Sequence, residues 1–133
     1  MKIIIDTNLW ISFTIGKRLS VLEALLKNKR IEIYVCKELI NEYKDVAQRP
    51  KLKKYIQPDD VSMTLELIGL YCYCVDIKKQ ATSPIRDSKD LYLLSLADTV
   101  KANYIVSGDK DLLVLKEHNH THILDFNTFV RML

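Results

Sequence analysis

The sequence predicts an α/β protein: a parallel sheet with helices over both faces. Two observations predict it. Short runs of β-branched and aromatic residues alternate with longer stretches whose apolar residues recur at helical spacing. That alternation is the mark of βαβ units, and a parallel sheet needs cover on both sides.

The elements follow in order. Ile3 to Ile5 is a short β-branched run and reads as a buried strand, with a first helix carrying Trp10 after it. Leu19 to Lys29 reads as a helix, with Leu19, Leu22, Leu25 and Leu26 on one side. Ile31 to Cys36 is a second strand. Lys37 to Gln48 is helical, with a stripe of Leu39, Ile40, Tyr43, Val46 and Ala47. Arg49-Pro50 ends it, because a residue before proline avoids the helical region. Pro58 to Leu70 opens with proline and two acids, which suit a helix N-terminus. Tyr73 to Ile77 is the third strand, Ser88 to Ala102 a long apolar-striped helix, Asn103 to Ser107 the fourth strand. His122 to Leu124 is the fifth strand and Asn127 to Met132 a closing helix.

At 133 residues the chain is the size of one domain, and its 48% hydrophobic and 28% charged residues argue against disorder. No apolar run approaches the ~20 residues that cross a bilayer. The N-terminal apolar stretch is short and interrupted by Asp6, unlike a signal peptide. These features point to a cytoplasmic protein. Cys36, Cys72 and Cys74 form no C-x-x-C pair, and Cys72 and Cys74, alternating on the approach to a strand, read as small core residues. A net charge of +3 does not by itself announce nucleic-acid binding. Its distribution says more: Lys44, Arg49, Lys51, Lys53 and Lys54 crowd one stretch, either as a solvated helical face or as a phosphate-contacting patch.

In open α/β sheets functional groups collect beyond the carboxyl ends of the strands. Asp6 directly follows the first strand, and Asp109 follows the fourth across Gly108. Each alone reads equally as a helix N-cap. Glu42 sits at the edge of its helix's apolar stripe, from which it can reach the sheet rim. Asp90 falls within the stripe of Leu93, Leu94, Leu96, Ala97 and Val100 and should face inward. A buried carboxylate must be paired or bind a metal. Asp87 reads as the cap of that helix or as an outer ligand. Carboxylates ~4 Å apart repel by ~4 kcal/mol at an effective dielectric near 20, so such a cluster traps protons or recruits cations. Oxygen-only ligands select hard ions such as Mg²⁺ or Mn²⁺.

Four blocks, Asp6-Thr7-Asn8, Glu38-Leu39-Ile40-Asn41-Glu42-Tyr43, Arg86-Asp87-Ser88-Lys89-Asp90 and Ser107-Gly108-Asp109-Lys110-Asp111-Leu112, resemble the signature blocks of PIN-domain nucleases. They come in family order and span nearly the whole chain, and the toxins of bacterial toxin–antitoxin systems are the branch they look closest to. The resemblance implies a three-layer α/β/α sandwich and a metal-dependent ribonuclease. It carries the family's acidic quartet onto Asp6, Glu42, Asp90 and Asp109 as catalytic metal ligands. Asp87 and Asp111 fall on acids that vary between branches, and Asn8 and Ser107 on small polar positions that support the site. Ser88 stands where proline is common in that branch. The resemblance further implies Mg²⁺ or Mn²⁺, an RNA substrate, products with a 5′-phosphate and a 3′-hydroxyl, a cognate antitoxin that blocks the acidic pocket, and a homodimer. Arg49, Lys51, Lys53 and Lys54 are the candidate RNA contacts.

Other readings fit parts of this pattern. A haloacid-dehalogenase-like phosphatase also places an acid after its first strand, but wants a second Asp where Asn8 stands. A non-catalytic RNA- or protein-binding module would keep the fold without the chemistry, and nothing in the residues separates RNA from DNA cleavage. His118, His120 and His122 alternate as a metal site could, but read as a polar loop entering the fifth strand. Trp10 reads as core or subunit interface. Tyr55 reads as a helix anchor or as a surface for stacking bases.

Overall fold

The computed structural model describes residues 1–16, 19–78 and 88–133. Its strands are β1 (Lys2–Ile5), β2 (Glu32–Val35), β3 (Tyr73–Cys74), β4 (Tyr104–Val106), β5 (Glu117–His118) and β6 (Thr121–Leu124). Its helices are α1 (Thr7–Ile15), α2 (Leu19–Leu26), α3 (Lys37–Ala47), α4 (Pro58–Tyr71), α5 (Ser88–Val100), α6 (Lys110–Leu113) and α7 (Phe126–Arg131), with a 3₁₀ turn at Pro50–Leu52.

The strands form one sheet in the order β3-β2-β1-β4-β6-β5, parallel except for β5. Ile3, Ile4 and Ile5 of the central strand are all buried, as a strand covered on both faces requires. From β1 the chain moves outward to β2 and β3, then returns past β1 to β4 and β6. Right-handed crossovers therefore put α1 to α4 over one face and α5 over the other. The packing agrees: α1 lies against α2, α3 and α4, while α5 lies across β1 and β4. The expected α/β/α sandwich is the observed fold.

The predicted elements differ from the observed ones mainly at the edges of the sheet. The third strand pairs only over Tyr73–Cys74, with one further bond from the Val75 amide to the Val35 carbonyl (2.9 Å). The polar segment 118–122, expected as a loop, is a hairpin. β5 pairs antiparallel with β6, with Glu117 opposite His122 and His118 opposite Thr121. Asn119 takes φ 52 in its turn, a left-handed conformation that asparagine tolerates. Short edge strands of this kind limit pairing with other chains.

The core is continuous through both layers. Trp10 is fully buried and its indole Nε1 donates to the Ile5 carbonyl (3.0 Å), which settles it as core. One turn further along α1, Thr14 Oγ1 bonds the Tyr43 hydroxyl (2.7 Å) and the Thr64 hydroxyl (3.2 Å), tying α1, α3 and α4 together. Cys36 is buried, but the two cysteines expected in the core are not. Cys72 is only partly buried and Cys74 is exposed, because β3 is an edge strand with one face uncovered.

Candidate active site

The order of the strands places a crevice beyond the carboxyl ends of β1 and β4. From β1 the chain turns one way to β2, and β4 is added on β1's other side; such a switch point leaves the loops diverging. Ile5 and Val106 are paired in register. Asp6 and Ser107, the next residues on each strand, are therefore neighbours at the rim, and the Asp6 amide donates to the Val106 carbonyl (2.9 Å).

Asp6 occupies the N-cap position of α1 but its carboxylate makes no cap bond. Instead Oδ2 accepts a hydrogen bond from the Ser107 hydroxyl (2.7 Å), and that hydroxyl accepts from the Asp109 amide (3.0 Å). Ser107 thus links both acidic strand ends, as the support role expected of it requires. Asp109 does cap: its Oδ1 accepts from the Asp111 amide (2.9 Å) at the start of α6. Glu42, half-buried on the second turn of α3, accepts through Oε2 from the Tyr92 hydroxyl (2.6 Å). The same phenol bonds the buried Thr7 hydroxyl at the start of α1 (3.0 Å). Asp90 is 3% exposed in the first turn of α5, the helix that covers β1 and β4.

Burial pushes the Asp6 carboxyl above its ordinary value. The Ser107 hydroxyl and the Thr7 amide oppose that, and the charges of Glu42 and Asp109 push it further up. Asp6, Glu42 and Asp109 therefore share one electrostatic neighbourhood. Among the described residues, no basic side chain is among the groups that set the Asp6 ionisation. Burial, and then the bond to Glu42, keep the Tyr92 phenol far above its ordinary value and hence protonated.

The residues fit a hard cation in their chemistry. The donors are oxygens, and Glu38, one turn before Glu42 on α3, has a buried Oε1 with no hydrogen-bond partner among the described residues. An acceptor in that state gains from a cation. The fit is in chemistry more than in spacing. Among the described residues no three Asp, Glu, His or Cys side chains form a group that could hold an ion. Asp6 and Glu42 are each held on a neutral donor, Ser107 and Tyr92, where like charges repel.

The remaining expectations divide. Asn8 is exposed and its side chain makes no hydrogen bond among the described residues; Thr7, its neighbour, does the supporting. Asp111 is exposed and contributes its amide to Asp109. Asp87 lies outside the described residues. Arg49, Lys51, Lys53 and Lys54 are exposed on the turn between α3 and α4, away from the acids along the chain. Tyr55 is 55% exposed and anchors nothing; Ile56 takes that place in the core. His118 bonds Asp98 (3.0 Å) and His122 is exposed on β6, and among the described residues the histidines form no metal-holding group. Burial pushes the Cys36 thiol up to about 11 and that of Cys72 up to about 12, which leaves neither as a thiolate at neutral pH. Sequence reasoning missed Tyr92 and Glu38. A tyrosine two residues after a buried acid on an apolar helix was the available signal for Tyr92; Glu38 gave none.

Comparison with known proteins places these residues in a wider set. The pattern defining the PIN domain matches residues 2–111. The uncharacterized protein MJ1680 of Methanocaldococcus jannaschii is 28% identical over 123 residues, covering 90% of this chain and 77% of that protein. Among solved structures, VapBC2 from Rickettsia felis, bound to a DNA fragment from its promoter, superposes with a TM-score of 0.61. The identity is 17%, over 95% of this chain and 99% of that one. The T. brucei RRP44 PIN domain superposes with a TM-score of 0.50 and 16% identity, over 98% of this chain and 79% of that one.

Proposed function

The chain belongs to the PIN domain family, and from that premise we propose that it is a divalent-metal-dependent endoribonuclease, the toxin of a toxin–antitoxin pair. On this reading residues 1–133 work as one nuclease domain in the cytoplasm. The observation that carries the proposal is Asp6: a buried carboxylate at the β1/β4 switch point, bonded by Ser107 and raised by burial and by two neighbouring acids. Such a group costs stability wherever it is charged, and a cation offsets that cost.

Asp6, Glu42, Asp90 and Asp109 would hold Mg²⁺ or Mn²⁺, and Glu38 offers a further oxygen. The ion, when bound, supplies charge neutralisation at the phosphodiester and a water of lowered pKa. The chain's own residues do the positioning. Ser107 orients Asp6 and fixes the Asp109 backbone. Tyr92, protonated and shared between Glu42 and Thr7, sets the direction of the Glu42 carboxylate. The hydrogen-bonded rim of two neighbouring strands keeps these donors rigid, which favours reaction over reorganisation.

The antitoxin partner is proposed on the four motif blocks and on the fold shared with the VapBC2 chain. The phosphatase alternative gives way to the family match, with Asn8 standing where its second acid would be. Calorimetry with Mn²⁺ separates the nuclease from an inert module of the same fold. The nuclease binds Mn²⁺, and Asp6→Asn with Asp90→Asn abolishes the heat. Absence of any Mn²⁺ binding to the wild-type chain overturns the metal site.

A further inference from the structure

The connection between α3 and α4 carries a site that the acidic centre does not explain. Residues 46–58 hold four cations, Arg49, Lys51, Lys53 and Lys54, and no acid, in a chain whose net charge is +3. All four are exposed, and none forms an ion pair among the described residues. Arg49-Pro50 forces the chain out of α3 into a 3₁₀ turn, Pro50–Leu52, which fans these side chains over a few residues instead of along a helix face.

Beside this turn lies a cleft of about 510 Å³, a size typical of ligand sites. Its walls are mixed in a particular way. Pro58 and Val61 offer apolar contact over the buried Ile56, Gln48 and Gln57 bring two amides, each both donor and acceptor, and Lys53 brings a charge. Tyr55 stands 55% exposed on the same turn. Apolar walls take the faces of a ring, amides read its edge, and cations hold the phosphates on either side. Gln48 follows Glu42 by six residues, about 9 Å along a helix axis, within reach of one bound RNA chain.

We propose that the cleft between the end of α3 and the start of α4 binds one nucleotide of a single-stranded RNA, its base against Pro58 and Val61 and its phosphates on Lys53, which lines the cleft, and on Arg49, Lys51 and Lys54 of the adjoining turn. The site selects sequence through Gln48 and Gln57 and is distinct from the acids that cut. It rests on the ribonuclease reading for the identity of the polymer. An acidic protein segment is the competing occupant; the amides favour a base, whose edge uses both their donors and their acceptors, whereas a carboxylate uses only the donors.

The test measures binding and leaves cleavage out of the readout. Fluorescent 10-nucleotide RNA homopolymers are titrated onto full-length Asp90→Asn protein without metal, across a range of salt. Adding Lys51→Gln with Lys54→Gln should lower the salt slope by about 1.4, at about 0.7 for each single-strand phosphate no longer neutralised, and weaken all homopolymers ~10-fold at low salt. Adding Gln48→Ala with Gln57→Ala should leave the slope in place and compress the differences between homopolymers. Circular dichroism melts confirm that the variants fold, and the single Lys51→Gln exchange serves where a double does not. Unchanged affinity and slope in the lysine variants overturn the proposal, as does an acidic peptide that binds through these lysines while RNA does not. RNA binding lost with the lysines in a protein that never cleaves RNA keeps this site and overturns the nuclease.

Discussion

Asp6 and Asp109 follow strands in the same way, yet their carboxylates are used differently. Asp109 caps α6, as an aspartate there ordinarily does. Asp6 gives up its cap and turns to Ser107. The difference was not legible in the sequence, because both positions satisfy the capping pattern and only the register of β1 with β4 brings Ser107 beside Asp6. The inward placement of Asp90 was legible, since a helical stripe fixes which residues are buried and Asp90 is. An acid whose folded value is raised binds its proton more tightly folded than unfolded. Its charge therefore penalises the fold at every pH above the raised value, and the penalty vanishes as the pH falls below the unfolded value. Asp6→Asn should accordingly stabilise the metal-free protein at pH 7, by on the order of 1 kcal/mol, read as a higher midpoint in thermal melts with chelator. Tyr92→Phe removes the donor to Glu42 without changing the ring. It should lower kcat ~10-fold with KM nearly constant, the scale for residues that orient a ligand, in steady-state cleavage of an RNA oligomer.

Among the elements, long periodic helices are legible in the sequence and edge strands are not. The stripe Leu39, Tyr43 and Ala47 of α3 is the buried set. β3 and β5 are two residues each, too short to show alternation, and the pairing of β3 depends on β2, distant in sequence. The left-handed Asn119 that closes the hairpin sits among histidines that carry no turn signature. Helical spacing shows Tyr43 only as part of the apolar stripe, but its hydroxyl is buried with Thr14 and Thr64 and joins three helices. Tyr43→Phe removes one partner and leaves Thr14 its bonds to Thr64 and to the Trp10 carbonyl. The expected cost is about 1 kcal/mol, measured as a lower denaturant midpoint with unchanged slope.

Across the whole molecule, topology decides what the residues can do. Two strand ends and a helix separated by up to about a hundred positions meet at one rim because β1 is central and β4 is added on its far side from β2. The motif blocks carried the fold and family, and the order of acids along the chain suggested their convergence. What the sequence could not convey is that a phenol holds Glu42, since Tyr92 reaches it only between layers, and that Ser107 holds Asp6 in place of a cap. The account stands on those acids recruiting a hard cation to cut RNA. The rate of cleavage of an end-labelled RNA oligomer against Mn²⁺ concentration, for wild type and Asp6→Asn, tests this most directly. Wild-type cleavage should rise to saturation with Mn²⁺, stop with chelator and fall by roughly 10²–10³-fold in the variant, the scale for loss of one preorganised electrostatic group. Equal rates for the two proteins, or cleavage that persists with chelator, would contradict it.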